Sequence, residues 1–359
     1  MKTIRIAAGQ GFWGDWLEAP IRQVKLGQID YLMLDYLAEV TMSILAKQKQ
    51  KNPDYGYAHD FVELISKIKG ELATKKIKVI ANAGGVNPLG CANAVRKVLD
   101  SDHNSSKLKI AVVTGDDIFP EIGPLLERGI QLCHLEDQKP ISFIQNKLLS
   151  ANAYLGSEGV VEALKRGADI IITGRVADPS LVLAPLIHEF GWSVSDWDKL
   201  ASGTVAGHII ECGPQSSGGN FSYDWQSIED YENIGFPIVE VSADGSFEVT
   251  KHNNTGGKVS VQTVTEQLIY EIGDPENYIS PDVIVDFTTL KLEQVAENRV
   301  RVSKARGKPR TDKYKVSASY SHGYIAQGTI VYSWPDAAKK AKRAGESITN
   351  RLKEINLKL

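Results

Sequence analysis

Two pairs of residues in this chain could move protons, and one arginine could hold an anion. Asp116 and Asp117 stand together after an apolar run, and His208 and Glu211 lie three apart. On a helix that spacing puts both side chains on one face, where the carboxylate can orient the imidazole as a general base. The same pair reads equally as a structural helix end, or as two metal ligands beside Cys212, although no second His-rich element completes a metal shell. Cys212 as a nucleophile would need a lowered thiol pKa. Arg175 offers a planar fork suited to a carboxylate or phosphate, or to a structural ion pair with Asp116 or Asp178. Small turns that could cradle an anion surround these groups. Gly84 and Gly85 lie between Asn82 and the cap residue Asn87, and Lys251 precedes Thr255, Gly256 and Gly257. The latter turn is far from a P-loop in its spacing.

These residues need a frame, and the apolar pattern supplies one. Short runs of strand length occupy Ile4–Ala8, Tyr31–Asp35, Lys78–Asn82, Lys109–Thr114 and Asp169–Thr173. They are nearly continuous in Val and Ile, which suits strands covered on both faces. Each is followed by a polar loop and then by helical spacing. Asn87-Pro88 and Asp178-Pro179 read as caps with proline at the first helical position, and Lys165-Arg166-Gly167 reads as a helix end. The expected fold is a doubly wound, mostly parallel α/β sheet followed by a smaller α+β portion. In such sheets the carboxyl ends of the strands form the ligand crevice. The loops after all five strands, from Gly9–Asp15 to Thr173–Asp178, therefore converge on one edge, with Asn82, Asp116 and Arg175 expected around one cavity. Asp15 belongs to the first of these loops.

That first loop also contains Gly9, Gly11 and Gly14, spaced as a dinucleotide fingerprint, with Asp35 as the acid about 20 residues on. Phe12 and Trp13 are bulky for such a turn, so an NAD-dependent oxidoreductase stands as an alternative to the leading reading.

After Gly213 glycine and serine cluster and strand-like stretches dominate: Phe236–Val241, Ser246–Thr250, Val283–Phe287, Arg299–Val302 and Tyr314–Trp334, the last reading as an antiparallel hairpin. Three divisions follow: 1–212 as the α/β domain, 213–335 as an α+β portion packed on it, and 336–359 as a lysine-rich amphipathic helix of surface type.

The totals exclude several classes. Forty-one basic against 44 acidic residues give a net charge of −3, which removes the electrostatic reason to expect nucleic acid. No run of about 18 apolar residues suggests a membrane span. The start is interrupted too soon by charge for a signal peptide, and three cysteines without CxxC spacing suit a reduced, cytoplasmic compartment.

Many ordered strings carry a resemblance: Asp35-Tyr36-Leu37-Ala38-Glu39-Val40-Thr41, Asn82 through Pro88, Gly115-Asp116-Asp117, Ala151 through Gly156, Gly167 through Asp178, Gly207 through Gly213, Gly235-Phe236-Pro237-Ile238, Thr255-Gly256-Gly257 and Glu266 through Glu271. Together, over roughly residues 4 to 330, they resemble the AtuA family, named for acyclic terpene utilisation. The resemblance implies a part in the breakdown of citronellol- and geraniol-type terpenes and other branched acids, whose intermediates are carried as CoA thioesters; CoA is then a candidate as part of the substrate, and the cofactor is otherwise left open. The expected activity is a lyase or hydratase acting on a branched acyl-CoA or hydroxy acid, with a ligand-holding, non-catalytic subunit as the rival. Some family members continue into a small ferredoxin-like domain. This chain stops at Leu359, so a homo-oligomer or a small partner subunit is expected to stand in for it.

Overall fold

The computed structural model describes residues 2–355. Compactness divides the chain once, into Met1–Tyr320 and Ser321–Leu359, whereas the sequence pattern changes character at Gly213 and at Asp336.

The first unit opens with alternating strands and helices: β1 Thr3–Gln10, α1 Glu18–Leu26, β2 Tyr31–Leu34, α2 Glu39–Lys51, α3 His59–Lys75, β3 Lys78–Ala81, α4 Pro88–Leu99 and β4 Ile110–Val113. A short helix, α5 Ile122–Glu127, leads to β5 Leu148–Ala153, α6 Glu158–Lys165, β6 Ile170–Thr173, α7 Ser180–Phe190 and α8 Trp197–Ile210. The rest comprises β7 Pro237–Ser242, β8 Phe247–Lys251, α9 Val261–Leu268, β9 Tyr278–Ile279, β10 Ile284–Asp286, β11 Lys291–Ala296, β12 Arg299–Ser303, β13 Arg306–Lys308 and β14 Val316–Tyr320.

One nine-stranded sheet runs β11-β12-β8-β7-β1-β2-β3-β6-β4. Its β1-β2-β3-β6-β4 half is parallel, and β7, β8, β12 and β11 extend it by antiparallel pairing. The five runs read as parallel strands all form. Side chains alternate across this half: Ile6, Met33, Ile80 and Ile171 pack with α6, α7 and α8, whereas Leu32, Leu34, Val79 and Ile172 pack with α2, α3 and α4. A strand buried on both faces needs the unbroken apolar run seen in the sequence.

Three local expectations are corrected. Leu148–Ala153, too rich in small residues to read as a strand, is β5 and pairs antiparallel with β14. The Tyr314–Trp334 hairpin reduces to β14: residues 321–334 hold no regular secondary structure, and Tyr324, Ile325, Val331 and Trp334 are exposed. Gly323, three residues past the end of β14, takes a positive φ of 91° that an extended strand does not contain. Finally, α7 starts beyond Pro179 with no side-chain cap, because Asp178 is drawn to Arg175 instead. Asn87 does cap α4, its Oδ1 accepting from the Gly90 amide at 3.1 Å.

The second unit holds α10, Ala337–Glu354, an amphipathic helix without a buried residue. The expected helix therefore forms over most of 336–359, whose last four residues lie outside those described. Among the described residues no helix is long and apolar enough to cross a membrane.

Candidate active site at the carboxyl ends of the strands

The loops after β2, β3 and β6 do meet, and they do so through buried charge. Asp35 follows β2, and its Oδ1 accepts from Asn82 Nδ2 at 2.6 Å and from the Leu37 amide at 3.1 Å. Asn82 Oδ1 in turn accepts from the Tyr36 amide at 2.6 Å. Burial pushes the Asp35 carboxyl up to about 7, against the pull of the Arg175 charge and the Asn82 hydrogen bond. Arg175 follows β6 and is only 3% exposed. Its guanidinium lies 4.2 Å over the Tyr154 ring, donates to the Leu37 carbonyl, and stands 3.2 Å from Asp178. Tyr154 donates to Glu39, which Lys315 also reaches at 3.0 Å. Burial raises Asp178 well above the carboxylate range, with Arg175 opposing. Of the two readings of Arg175, the ion pair with Asp178 is present, and most of the fork is occupied inside the protein. Its Nε is buried without a partner.

Asp116 joins this cluster to an open cavity. Its Oδ2 accepts from the Arg175 amide and from Asn152 Nδ2, both at 2.8 Å. The fit leaves no room beneath: a Cβ on Gly174 would stand 2.4 Å from both Asp116 oxygens. Burial raises the Asp116 carboxyl, and those two hydrogen bonds oppose the shift. On its other side lies a cavity of about 190 Å³ bounded by Lys49, the Gly85–Leu89 turn, Thr114–Asp117 and Asn152. Asn152 Oδ1 is buried without a protein partner. Asp117 is exposed and caps the Phe119 amide at 3.0 Å. Asn82 is fully buried, two residues before Gly84, and does not line the cavity.

The glycine turns are less free than their sequence suggests. The amides of Gly84, Gly85, Val86 and Asn87 donate to the carbonyls of Thr173, Asn82, Gly56 and Gly84, so this turn is no open anion nest. Gly85 keeps a positive φ of 52°. What the turn presents to the cavity is the first turn of α4 and Lys49, whose Nζ holds the Val86 carbonyl at 2.6 Å. The second turn is closed too. Lys251 Nζ bonds the Thr255 carbonyl at 2.6 Å, and the amides of Gly256, Gly257 and Lys258 go to Asn233, Glu229 and Ser217. Asp15 pins its own loop, accepting from the Gly11 and Trp16 amides at 3.0 and 2.7 Å. The dinucleotide-type turn does not form: α1 begins only at Glu18, and the Gly11 backbone is packed on Cys212 and Gly213.

His208 and Glu211 meet as their spacing requires, Nδ1 to Oε1 at 2.9 Å, at the buried end of α8 against Tyr278 and Phe287. Burial disfavours the imidazolium, but the Glu211 charge prevails and holds His208 above its ordinary value. The charge of Glu211 also reaches Asp35 and Asp178, so the pair borders the Arg175 cluster. His208 Nε2 and Glu211 Oε2 are buried without partners. Burial raises the Cys212 thiol, the wrong direction for a nucleophile. Among the described residues no group of three or more His, Cys, Asp or Glu side chains is arranged to hold a metal ion.

Tyr154, Asn152 and Lys49 were not chosen from the sequence as site residues, and Asp35 was singled out only as the acid of a dinucleotide-type turn. Asp35 and Glu39 had a signal, as acids in a strand-end loop; Asn152 and Tyr154 had one only as members of the Ala151–Gly156 string, because β5 is invisible without its partner β14. No curated protein and no solved structure matched this chain. The model of the acyclic terpene utilisation family protein AtuA matches residues 4–359, and the chain thus belongs to the AtuA family.

Proposed function

We propose that this chain is an enzyme of acyclic terpene utilisation that adds or removes water, or cleaves a carbon–carbon bond, beside the carbonyl of a branched acyl group, with Asp116 as the proton-transfer group. The observation that carries the reading is the Asp116 carboxyl itself. It lines an open cavity, is held by two donors on one oxygen, and is raised by burial above the ordinary aspartate value, the direction a group that exchanges protons needs. Chemistry next to a carbonyl needs a proton donor or acceptor and a donor to grip the oxygen, and the cavity supplies Lys49 and Thr114 for that grip.

At about 190 Å³ the cavity is smaller than the roughly 300 Å³ and more of sites that enclose a whole ligand. It suits the reacting head of an acyl group, with a CoA portion left outside. The Arg175 cluster and the His208–Glu211 pair lie behind it. In this reading the Arg175 amide fixes the position of Asp116, and neither the cluster nor the His208–Glu211 pair touches substrate.

The test is turnover and binding by the Asp116→Asn variant on branched acyl-CoA thioesters and hydroxy acids. Asn keeps the size and accepting oxygen, so thermal stabilisation by the ligand should persist while turnover falls by about 10²–10⁴. Full turnover by the variant would remove Asp116 from the reaction. Binding without turnover by either protein would make the chain a ligand-holding subunit.

A further inference from the structure

Asn152 carries a free acceptor in the wall of the Asp116 cavity, and its orientation is fixed. Asp116 Oδ2 already accepts from the Arg175 amide at 2.8 Å, so a second contact on that oxygen has to be a donor. Asn152 supplies it with Nδ2, also at 2.8 Å, which turns its Oδ1 away from the carboxylate. That oxygen is buried without a partner among the described residues, on a side chain only 1% exposed that lines the cavity. The backbone beneath is held on both sides. The Ala153 amide donates to the Asp116 carbonyl at 2.7 Å and the Ile118 amide to the Ala151 carbonyl at 2.9 Å, while on the other side Asn152 pairs with Ser317 of β14. A side chain on a strand so held keeps its place.

The face of this ribbon that bears Asn152 is polar where simple packing would make it apolar. Residues two apart on a strand point the same way, and directly opposed residues of the partner strand share their face. Asn152 and Ser150 on β5 therefore stand beside Ser317 and Ser319 on β14, and all four are buried. Ser150 Oγ also has no partner among the described residues. The opposite face, with Ala151 and Ala318, packs in an apolar cluster with Ile122 and Ile141. Burying oxygens that bond to nothing is costly, so a strand that only had to pack would carry apolar side chains on both faces.

A free acceptor requires a donor on the ligand. Of the two acyl forms that gain or lose water beside a carbonyl, the unsaturated one offers no donor on its chain, and the hydroxylated one offers its O–H. We propose that Asn152 is the specificity-determining residue of the cavity: its Oδ1 accepts from a hydroxyl on the acyl chain, and the substrate class is a branched hydroxyacyl group. A site built to bond a hydroxyl rejects the analogue that lacks it, because its own buried group is then left unpaired. The inference rests on the reading that the cavity receives the head of an acyl group. It does not require Asp116 to be the group that moves the proton.

Calorimetric titration of the full chain with a matched pair of ligands tests the proposal. One is a branched acyl thioester, and the other is the same thioester with a hydroxyl on either of the two carbons nearest the carbonyl. The hydroxylated form is expected to bind roughly tenfold tighter or more. Asn152→Ala should bring the ratio close to one by weakening the hydroxylated form, and Asn152→Asp, which restores an oxygen acceptor, should recover part of it. A loosened fold weakens both ligands together, so the ratio isolates the contact, and the wild-type ratio decides even if Asn152→Ala fails to fold. Equal binding of the pair by the wild type would overturn the hydroxyl contact and leave the cavity reading intact. A preference that Asn152→Ala leaves unchanged would do the same. Binding of neither thioester would remove the cavity reading and this inference with it. Full turnover by Asp116→Asn with the wild-type preference would take Asp116 out of the reaction and support the contact.

Discussion

The two halves of the large sheet use the same chemical pair, arginine with carboxylate, in opposite surroundings. In the parallel half Arg175 meets Asp178 inside the protein, with Asp35, Glu39 and Glu211 close enough to feel one another's charge. In the antiparallel half, Arg5 on β1, Glu240 on β7, Glu248 on β8 and Arg301 on β12 stand opposite one another across successive strands. Arg299 bridges Glu240 and Glu248 at 2.5 and 2.8 Å, and Arg301 bonds Glu248 at 2.8 Å. This ladder faces solvent, which hydrates and screens its members. The buried cluster has no such recourse: a charge left alone there must find a proton or a partner. The comparison teaches that ion pairs in the ladder adjust a stable sheet, whereas the Arg175 charge in the cluster bears on the protonation of Asp35 and Asp178.

The largest effect should come from Arg175→Met. It leaves the partly exposed Asp178 without its cation and the buried Leu37 carbonyl without its donor, and about 3 kcal/mol of stability should be lost at neutral pH, as read by urea unfolding. If the loss is near zero, the cluster behaves like the ladder and the contrast fails. Arg175→Lys should lie between, because an ammonium cannot reach both the Leu37 carbonyl and Asp178 with a planar fork.

Next in size is Gly174→Ala. Its new Cβ would press on both Asp116 oxygens, for a cost of about 1–3 kcal/mol. The same substitution at Gly273, where a Cβ meets nothing within 4 Å, provides the control.

The pH dependence separates the regions by sign. Asp35, Asp116 and Asp178 have raised carboxyls, so the folded state binds protons that the unfolded chain has released. Their contribution is greatest near the unfolded carboxylate value, about 4, and is lost as pH rises through the Asp35 value of about 7. His208, also raised, adds a loss in the same direction as it deprotonates. Glu248 in the ladder is lowered: burial opposes the change, but hydrogen bonds from Arg299 and Arg301 outweigh it. Its contribution is present at neutral pH and disappears only as pH falls below the ordinary glutamate range. Urea midpoints from pH 5 to 8 should therefore decline in the wild type and flatten in Asp35→Asn, which keeps the acceptor for Asn82 without the titration. An unchanged slope would show that Asp35 is ionised throughout.

The smallest effect belongs to Arg301→Ala. Its side chain is half exposed, so the expected cost is about 0.2–1 kcal/mol, shrinking further in high salt. A loss matching that of Arg175→Met would show that the ladder is as tightly coupled as the cluster.

By itself the sequence determined the parallel half. Strands covered on both faces must be apolar along their length, as Tyr31–Leu34 and the Ile170–Ile172 run are, and Asn87 before Pro88 starts a helix through local chemistry alone. The His208–Glu211 contact was also legible, because two residues three apart on a helix meet whatever surrounds them. Tertiary structure decided which polar groups stay free. The amides of Gly84 to Asn87 look available until the carbonyls of Gly56 and Thr173, brought from elsewhere in the chain, claim them. Asp178 looks like a helix cap until Arg175 is folded against it. Asn152 acquires a role only when β14, more than 160 residues away, makes β5 a strand. The physical reason is the same in each case: local pattern fixes what a segment can satisfy within itself, while a buried donor, acceptor or charge is assigned by whichever distant group the fold places within 3 Å.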